Sequence, residues 1–216
     1  KHSAQIMNQG FTDLLSMLFS MPKVNRHIKR LRNKGYPVHS ILDIIQNDDN
    51  THTIVYTSAE FQPCSETFSD KYSFVGPSIR PATETVEKTG KRLIYISMGT
   101  VNNDMLPLYR SCIDAFGGTA DQVILSVGNQ IPLDAFGKLP ANVSVASHVD
   151  QIAVLEKADV FVSHCGMNSV SESLYFGVPL VMLPQTSEQK GVATRVLQLG
   201  AGLMPEKADV EAMLAQ

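Results

Sequence analysis

Short apolar runs alternate with amphipathic stretches through the second half of the chain. The apolar runs predict buried strands at residues 93–96, 123–127, 143–146, 160–162 and 180–183, with a sixth strand beginning near Leu203. The stretches between and after them predict helices at 103–116, 151–157, 168–176, 188–199 and 207–216. Apolar strands that alternate with helices are typical of a parallel sheet covered on both faces. The predicted fold class is α/β, with a Rossmann-like parallel sheet flanked by helices.

The first part of the chain has a weaker pattern. A helix is predicted over residues 4–20, a basic helical segment over 23–34 and a strand over 52–57. Residues 78–90 are polar and without periodicity, which is typical of a linker. We therefore predict an incomplete N-terminal α/β portion at 1–77, an interdomain linker at 78–90 and a second domain at 91–216.

The composition limits the possible binding partners and the cellular location of the protein. A chain of 216 residues with a formal net charge of −3 is not typical of a general nucleic-acid binder. The three cysteines lack metal-ligand spacing and suggest a reducing, cytoplasmic location. The apolar runs are too short for a membrane span. Residues 1–34 join an apolar helix to a basic segment, which is interpreted either as a solvated helix face or as a weak contact with an anionic membrane surface.

One stretch carries the strongest signal for a ligand site. The buried run Val160–Val162 is followed by the loop His164–Met167 and then by a helix that Asn168 or Ser169 can cap, with Glu172 as a capping-box partner. A strand, a turn of small residues and a helix start aim backbone N–H groups and a helix dipole at one point, which predicts an anion site. Cys165 beside His164 is interpreted as a packing residue rather than a nucleophile.

Other candidate residues also fall where predicted strands end. These segments are Ser97–Thr100, His148–Gln151, His164–Ser169 and Pro184–Gln189. Ligands of open parallel sheets bind beyond the carboxyl ends of the strands. We therefore expect the four segments to share one site.

The residues of these segments resemble a known signature. Ser147–Gln151, His164–Ser169, Glu172, Gly177–Pro179 and Glu188–Gln189 together resemble the donor signature of the UDP-dependent glycosyltransferases, and the chain is most similar to the bacterial macrolide-type enzymes. The resemblance implies a two-domain GT-B fold. Residues 1–77 would then end the acceptor-side domain, and 91–216 would be the nucleotide-sugar donor-binding domain without its last helices.

The resemblance also implies roles for individual residues. Nucleotide binding would fall to His148, Val149, Gln151 and Glu172. Phosphate binding would fall to Ser97, Gly99, Thr100, His164, Gly166, Asn168 and Ser169. Sugar binding would fall to Glu188 and Gln189. Similar proteins carry Trp at the position of His148, and an imidazole offers less area for stacking on uracil. The catalytic base is expected outside this chain, and neither a metal nor a cofactor is implied.

The implied activity is that of a hexosyltransferase that uses a UDP-sugar and inverts the anomeric carbon. We expect this chain to supply the donor-binding half and to be inactive by itself. The expected partners are a UDP-sugar and a small hydroxylated acceptor such as a macrolide or flavonoid, with no nucleic acid. Two alternatives stay open: a donor-binding subunit of a split glycosyltransferase, and a nucleotide-sugar epimerase.

Overall fold

A computed structural model describes residues 21–45, 51–100 and 104–205. Their internal contacts form two compact units. The first holds the described residues up to Thr53 together with Asp70–Ser73, and the second holds Ile54–Ser69 and the described residues from Phe74 onward. The predicted linker at 78–90 therefore lies within the second unit. The division into acceptor-side and donor-side domains stays a prediction.

The first unit contains helical residues 21–33 (α1) and the short helix α2, Leu42–Ile45. Ile28 is buried in α1, whereas the basic side chains are exposed: Lys23, Arg26, Lys29, Arg30, Arg32 and Lys34. This exposure fits a solvated basic face, and membrane contact by 1–34 stays a prediction. The predicted helices at 4–20 and 207–216 lie outside the described residues.

A two-stranded sheet pairs β1 (Thr53–Val55) with β2 (Tyr72–Phe74). The strand predicted over 52–57 is thereby confirmed at a shorter length. A single 3₁₀ turn, Ser65–Thr67, lies between the two strands.

The second unit is built on a six-stranded sheet in the order β5-β4-β3-β6-β7-β8, and every pair is parallel. Its strands are β3 Leu93–Ser97, β4 Gln122–Ser126, β5 Val143–Ala146, β6 Val160–Ser163, β7 Leu180–Met182 and β8 Gly202–Leu203. The helices are α3 Leu106–Phe116, α4 Gln151–Leu155, α5 Met167–Tyr175 and α6 Ser187–Gln198, with a 3₁₀ turn at Leu133–Phe136. The predicted parallel α/β sheet is confirmed.

Helices cover both faces of this sheet because successive side chains of each strand point to opposite faces. Ile94 and Ile96 of β3 belong to a core that includes the buried side of α3. Leu93 and Tyr95 point the other way, into a core that includes residues of α4, α5 and α6. All five residues of β3 are buried, as expected for a central strand.

The order in which strands are added to the sheet reverses at β3. From β3 it adds β4 and β5 on one side, then crosses over to add β6, β7 and β8 on the other. In the register, Ser97 at the end of β3 aligns with Ser126 of β4 and Ser163 of β6. The loops that follow these strands therefore lie side by side. Ligands of open α/β sheets bind at such a reversal.

Candidate functional site

A pocket of about 500 Å³ lies at the carboxyl ends of the strands, where the strand order reverses. The structure brings together nearly every residue proposed from the sequence. The predicted residues that line this pocket are Ser97, Gly99, Thr100, His148, Val149, Gln151, His164, Gly166, Asn168, Ser169 and Glu172. Glu188 and Gln189 are not among its lining residues, and Arg80 and Tyr95 are added to it.

The pocket receives the N-terminus of α5. The helix begins at Met167 with Gly166 as its N-cap, so the predicted cap at Asn168 or Ser169 is wrong, because both residues lie inside the first turn. Gly166 offers no side-chain cap, and the first turn carries no carboxylate. The first N–H groups of a helix have no intrahelical partner. An uncapped start that faces a pocket is suited to bind an anion.

His164 lies between two glycines of this site. A Cβ on Gly99 would lie 2.5 Å from Cε1 of the imidazole, and one on Gly166 would lie 2.8 Å from Nε2. Either distance is shorter than a real Cβ contact, so the ring occupies its position only because both residues are glycines. Gly99 also has a φ of +79°, in the left-handed region that favours glycine. The close fit joins the loops after β3 and β6.

The surroundings of His164 affect the protonation state of its imidazole. Burial lowers the pKa of His164, and the Ser97 backbone and the charge of Glu188 oppose this shift only in part. Its Nδ1 is buried and has no hydrogen-bond partner among the residues that the structure describes. A pKa below the ordinary value of 6.5 favours the neutral ring at pH 7. A nearby phosphate would favour the protonated form.

Four polar side chains form a hydrogen-bonded network within the pocket. The Tyr95 hydroxyl donates to Gln151 Oε1 at 3.1 Å, and Gln151 Nε2 donates to Glu172 Oε2 at 2.5 Å and to Ser169 Oγ at 3.3 Å. Burial raises the pKa of Tyr95, so its hydroxyl stays a donor. Glu172 is thus bound to Gln151 and is not the predicted capping-box partner, because α5 begins too early for that pairing.

Sequence reasoning missed Tyr95. The available signal was a tyrosine in an otherwise aliphatic strand, Leu-Ile-Tyr-Ile, since a buried hydroxyl needs a partner.

An aspartate ties the predicted linker to the pocket. Asp150 caps α4 by accepting from the N–H groups of Ile152 and Ala153. It also accepts from Arg80 Nη2 at 2.5 Å, from Thr83 N at 2.6 Å, from Thr83 Oγ1 at 2.7 Å and from Glu84 N at 3.2 Å. These contacts hold residues 80–84 beside the loop that carries His148 and Val149. A sequence pattern does not show pairing across about seventy residues, so this anchor was also missed.

The two predicted sugar-binding residues lie at the start of α6. Gln189 completes a capping box with Thr186: its N–H donates to Thr186 Oγ1 at 3.3 Å, and its Oε1 accepts from the N–H of Thr186 at 3.1 Å. The same Oε1 accepts from Gln185 N at 2.7 Å. The Gln189 side chain therefore stabilises the helix start. Sugar binding by Glu188 and Gln189 stays a prediction.

Cys165 is fully buried in the core beneath α5, which confirms its interpretation as a packing residue. Its φ of +68° places it in a left-handed turn. Within 21–45, 51–100 and 104–205, no three His, Cys, Asp or Glu residues form a group able to hold a metal ion. In those same ranges, every helix is too short or too polar to cross a bilayer.

Comparison with solved structures and protein families places this fold among the glycosyltransferases of the GT-B class. The structure described as the glycotransferase of kitacinnamycin matches 96% of this chain with a TM-score of 0.79 and 26% sequence identity, and the match covers 57% of that chain. Residues 110–216 match the family described as "Erythromycin biosynthesis protein CIII-like, C-terminal domain". Residues 110–216 therefore belong to this family, in agreement with the macrolide-type glycosyltransferase signature.

Curated relatives agree with this assignment. The NDP-glycosyltransferase YjiC of Bacillus licheniformis is 37% identical over 213 residues, which cover 94% of this chain and 53% of the relative. The NDP-glycosyltransferase YjiC of Bacillus subtilis is 43% identical over 161 residues, which cover 73% of this chain and 41% of the relative. The chain therefore spans about half the length of the curated relatives it matches.

Proposed function

We propose that this chain supplies the donor-binding half of a UDP-sugar-dependent glycosyltransferase, which transfers a hexosyl group to an acceptor hydroxyl with inversion. One observation carries the proposal: residues from separate loops, assigned to nucleotide and phosphate from the sequence, line one pocket at the reversal of the sheet. Relatives named as NDP-glycosyltransferases support the donor class. The acceptor is a small hydroxylated molecule, such as a macrolide or flavonoid.

The reaction is a direct displacement at the anomeric carbon. The acceptor oxygen forms a bond to that carbon while the bond to the β-phosphate oxygen breaks, and the bonding electrons leave with UDP. A base outside this chain takes the acceptor proton. The contribution of this chain is to hold the leaving diphosphate and stabilise its developing charge, which is an electrostatic role.

The lining residues suggest an orientation for the bound UDP-sugar. The uncapped start of α5 and the His164 imidazole would meet the diphosphate, and Glu172 would accept from the ribose hydroxyls. His148 and Val149 line the pocket from the loop that leads to α4, where the base would stack. Because these donors and the helix dipole supply the positive potential, the proposal invokes neither a metal nor a cofactor.

Calorimetric titration of the 216-residue chain with UDP, UMP and ADP tests donor binding. We expect saturable binding of UDP that is weaker for UMP and ADP. His164→Ala should weaken UDP about tenfold or more, since a hydrogen bond to a charged group contributes ~1.5–3 kcal/mol. His39→Ala, at an exposed histidine of the first unit, is the matched control and should bind as the wild type does. A folded chain without UDP binding would overturn the proposal.

Incubation with a UDP-hexose separates transfer from epimerisation. Without the acceptor-side half, we expect the chain to leave the donor unchanged over hours, as followed by chromatography. Conversion to a second UDP-hexose without any acceptor would instead favour the epimerase alternative. Transfer that appears only after a separate acceptor-binding chain is added would favour a split enzyme.

A further inference from the structure

Arg80 carries a permanent positive charge, and the pocket that it lines has little other positive charge. Among the described residues that line the pocket, it is the one arginine, and none is a lysine. Glu172 adds a negative charge, and burial keeps His164 neutral near pH 7. A nucleoside diphosphate brings at least two negative charges into this space. Its binding therefore favours a cation at the wall of the pocket.

The structure holds the Arg80 guanidinium in place without using all of its donors. Nη2 donates to Asp150 Oδ1 at 2.5 Å, and Nη1 donates to the Pro81 carbonyl at 3.0 Å. A guanidinium has five N–H donors. The side chain is 51% exposed, whereas that of Asp150 is 3% exposed, so the anchor is buried and the cation is open to the pocket.

Arg80 and Glu172 line the same pocket. Its hydrogen bond to Asp150, together with the charges of Asp150 and Glu172, raises the pKa of Arg80. Glu172 is the residue assigned to the ribose hydroxyls. The phosphate group next to the ribose would therefore lie within reach of the same cation, while the start of α5 serves the remainder of the diphosphate.

We propose that Arg80 is a nucleotide-binding residue of the donor site, acting on the phosphate next to the ribose, and that Asp150 is its positioning residue. The inference rests on the proposed function, which it deepens. It makes residues 80–84, within the predicted linker, a wall of the donor pocket rather than a passive connection. Thr83 and Glu84 fix this wall through their N–H groups on Asp150.

Binding by charge variants of the 216-residue chain tests the proposal. Arg80→Gln removes the charge while keeping a polar side chain, and we expect it to weaken UDP about tenfold, equivalent to ~1.4 kcal/mol. Arg80→Lys should stay within about threefold of wild type, because it keeps the charge but loses the fork geometry. The loss in Arg80→Gln should shrink between low and high salt, because screening weakens exposed charges.

Two controls separate binding from a structural role. Arg92→Gln breaks a comparable ion pair with Asp121, whose side chains are 52% and 6% exposed and do not line the pocket, and it should keep UDP affinity at the wild-type value. Uridine lacks phosphate and should bind wild type and Arg80→Gln alike in ligand-observed NMR titrations. Thermal unfolding of every variant checks that it is folded.

The outcomes distinguish this inference from the proposed function. Wild-type UDP binding with an unchanged Arg80→Gln affinity would overturn the role of Arg80 and leave the donor site standing. An equal loss for uridine and UDP, or an Arg92→Gln loss as large as that of Arg80→Gln, would show a structural role and also overturn the role of Arg80. A folded wild-type chain that binds no UDP would remove both proposals.

Discussion

The imidazole of His164 packs so closely on the backbone of Gly99 that a Cβ on Gly99 would lie 2.5 Å from its Cε1. The two residues follow neighbouring strands, β6 and β3, on either side of the reversal in strand order. Their contact therefore sets the position of the one ring that faces the proposed diphosphate. It also leads directly to the first prediction.

Gly99→Ala should weaken UDP affinity about tenfold or more. The added Cβ displaces the His164 ring, which then loses its proposed hydrogen bond to the charged diphosphate. The variant should also lose ~1–2 kcal/mol of unfolding free energy from the positive φ alone. Gly118→Ala is the matched control, since Gly118 has a φ of +76° and open space around its Cβ position. Calorimetry and urea unfolding of both variants check the prediction. Equal UDP affinities in the two variants would show that the ring contact does not matter for binding.

UDP affinity should rise as the pH falls from 8 towards 6.5. Burial lowers the pKa of His164 and favours the neutral ring, and a bound diphosphate would raise that pKa again. Binding therefore takes up a proton, and the affinity gain is limited to about tenfold per pH unit for one coupled group. Calorimetry in buffers of different ionisation enthalpy measures the proton uptake. His164→Ala should retain only the pH dependence of UDP itself, and His39→Ala should behave as wild type. Identical proton uptake in wild type and His164→Ala would contradict this assignment.

Asp150→Asn should lower the free energy of unfolding by about 2 kcal/mol at pH 7. The loss is no larger because Arg80 is half-exposed and solvent screens its charge. The hydrogen bond from Arg80 is the main reason that the pKa of Asp150 lies far below its ordinary value of 3.8. A depressed pKa stabilises the fold above that value, and the stabilisation is lost as the pH falls through 3.8 towards the folded pKa.

The stability gap between wild type and Asp150→Asn should therefore be constant from pH 7 to 5 and narrow below about pH 4. Urea unfolding followed by circular dichroism at several pH values measures it. Asp114→Asn, at an exposed position on α3, should show no such gap. A gap that widens on acidification would rule out this linkage.

The three cysteines should differ sharply in their reaction with iodoacetamide at pH 8. Cys64 is exposed, whereas burial raises the pKa of both Cys112 and Cys165 to about 12. The folded chain should be alkylated at Cys64, and the other two should react only after unfolding in urea. Peptide mass spectrometry over time measures the alkylation of each cysteine. Alkylation of Cys165 as fast as Cys64 would indicate an accessible thiolate and return the nucleophile interpretation.

The strands of the second unit were predictable because each is a short apolar run in a sheet that buries both faces. Val160–Val162 and Leu93–Ile96 show this pattern at once. The loop residues were predictable for a different reason: parallel strands bring their carboxyl ends to one edge, so motifs that follow strands meet there. Helix ends were less certain, and α5 begins at Met167 because Gly166 adopts the extended N-cap conformation.

The amino-acid sequence by itself determined the α/β class, the family and most of the residues that line the pocket, since these depend on local apolar runs and on a signature read in order. Only the tertiary structure decided that Asp150 holds Arg80 and Thr83, that Tyr95 orients Gln151 towards Glu172, and that Gln189 caps α6 instead of lining the pocket. Such contacts join side chains that are distant along the chain or compete for a local partner. Their geometry is set by the packing of the whole sheet, which no local pattern encodes.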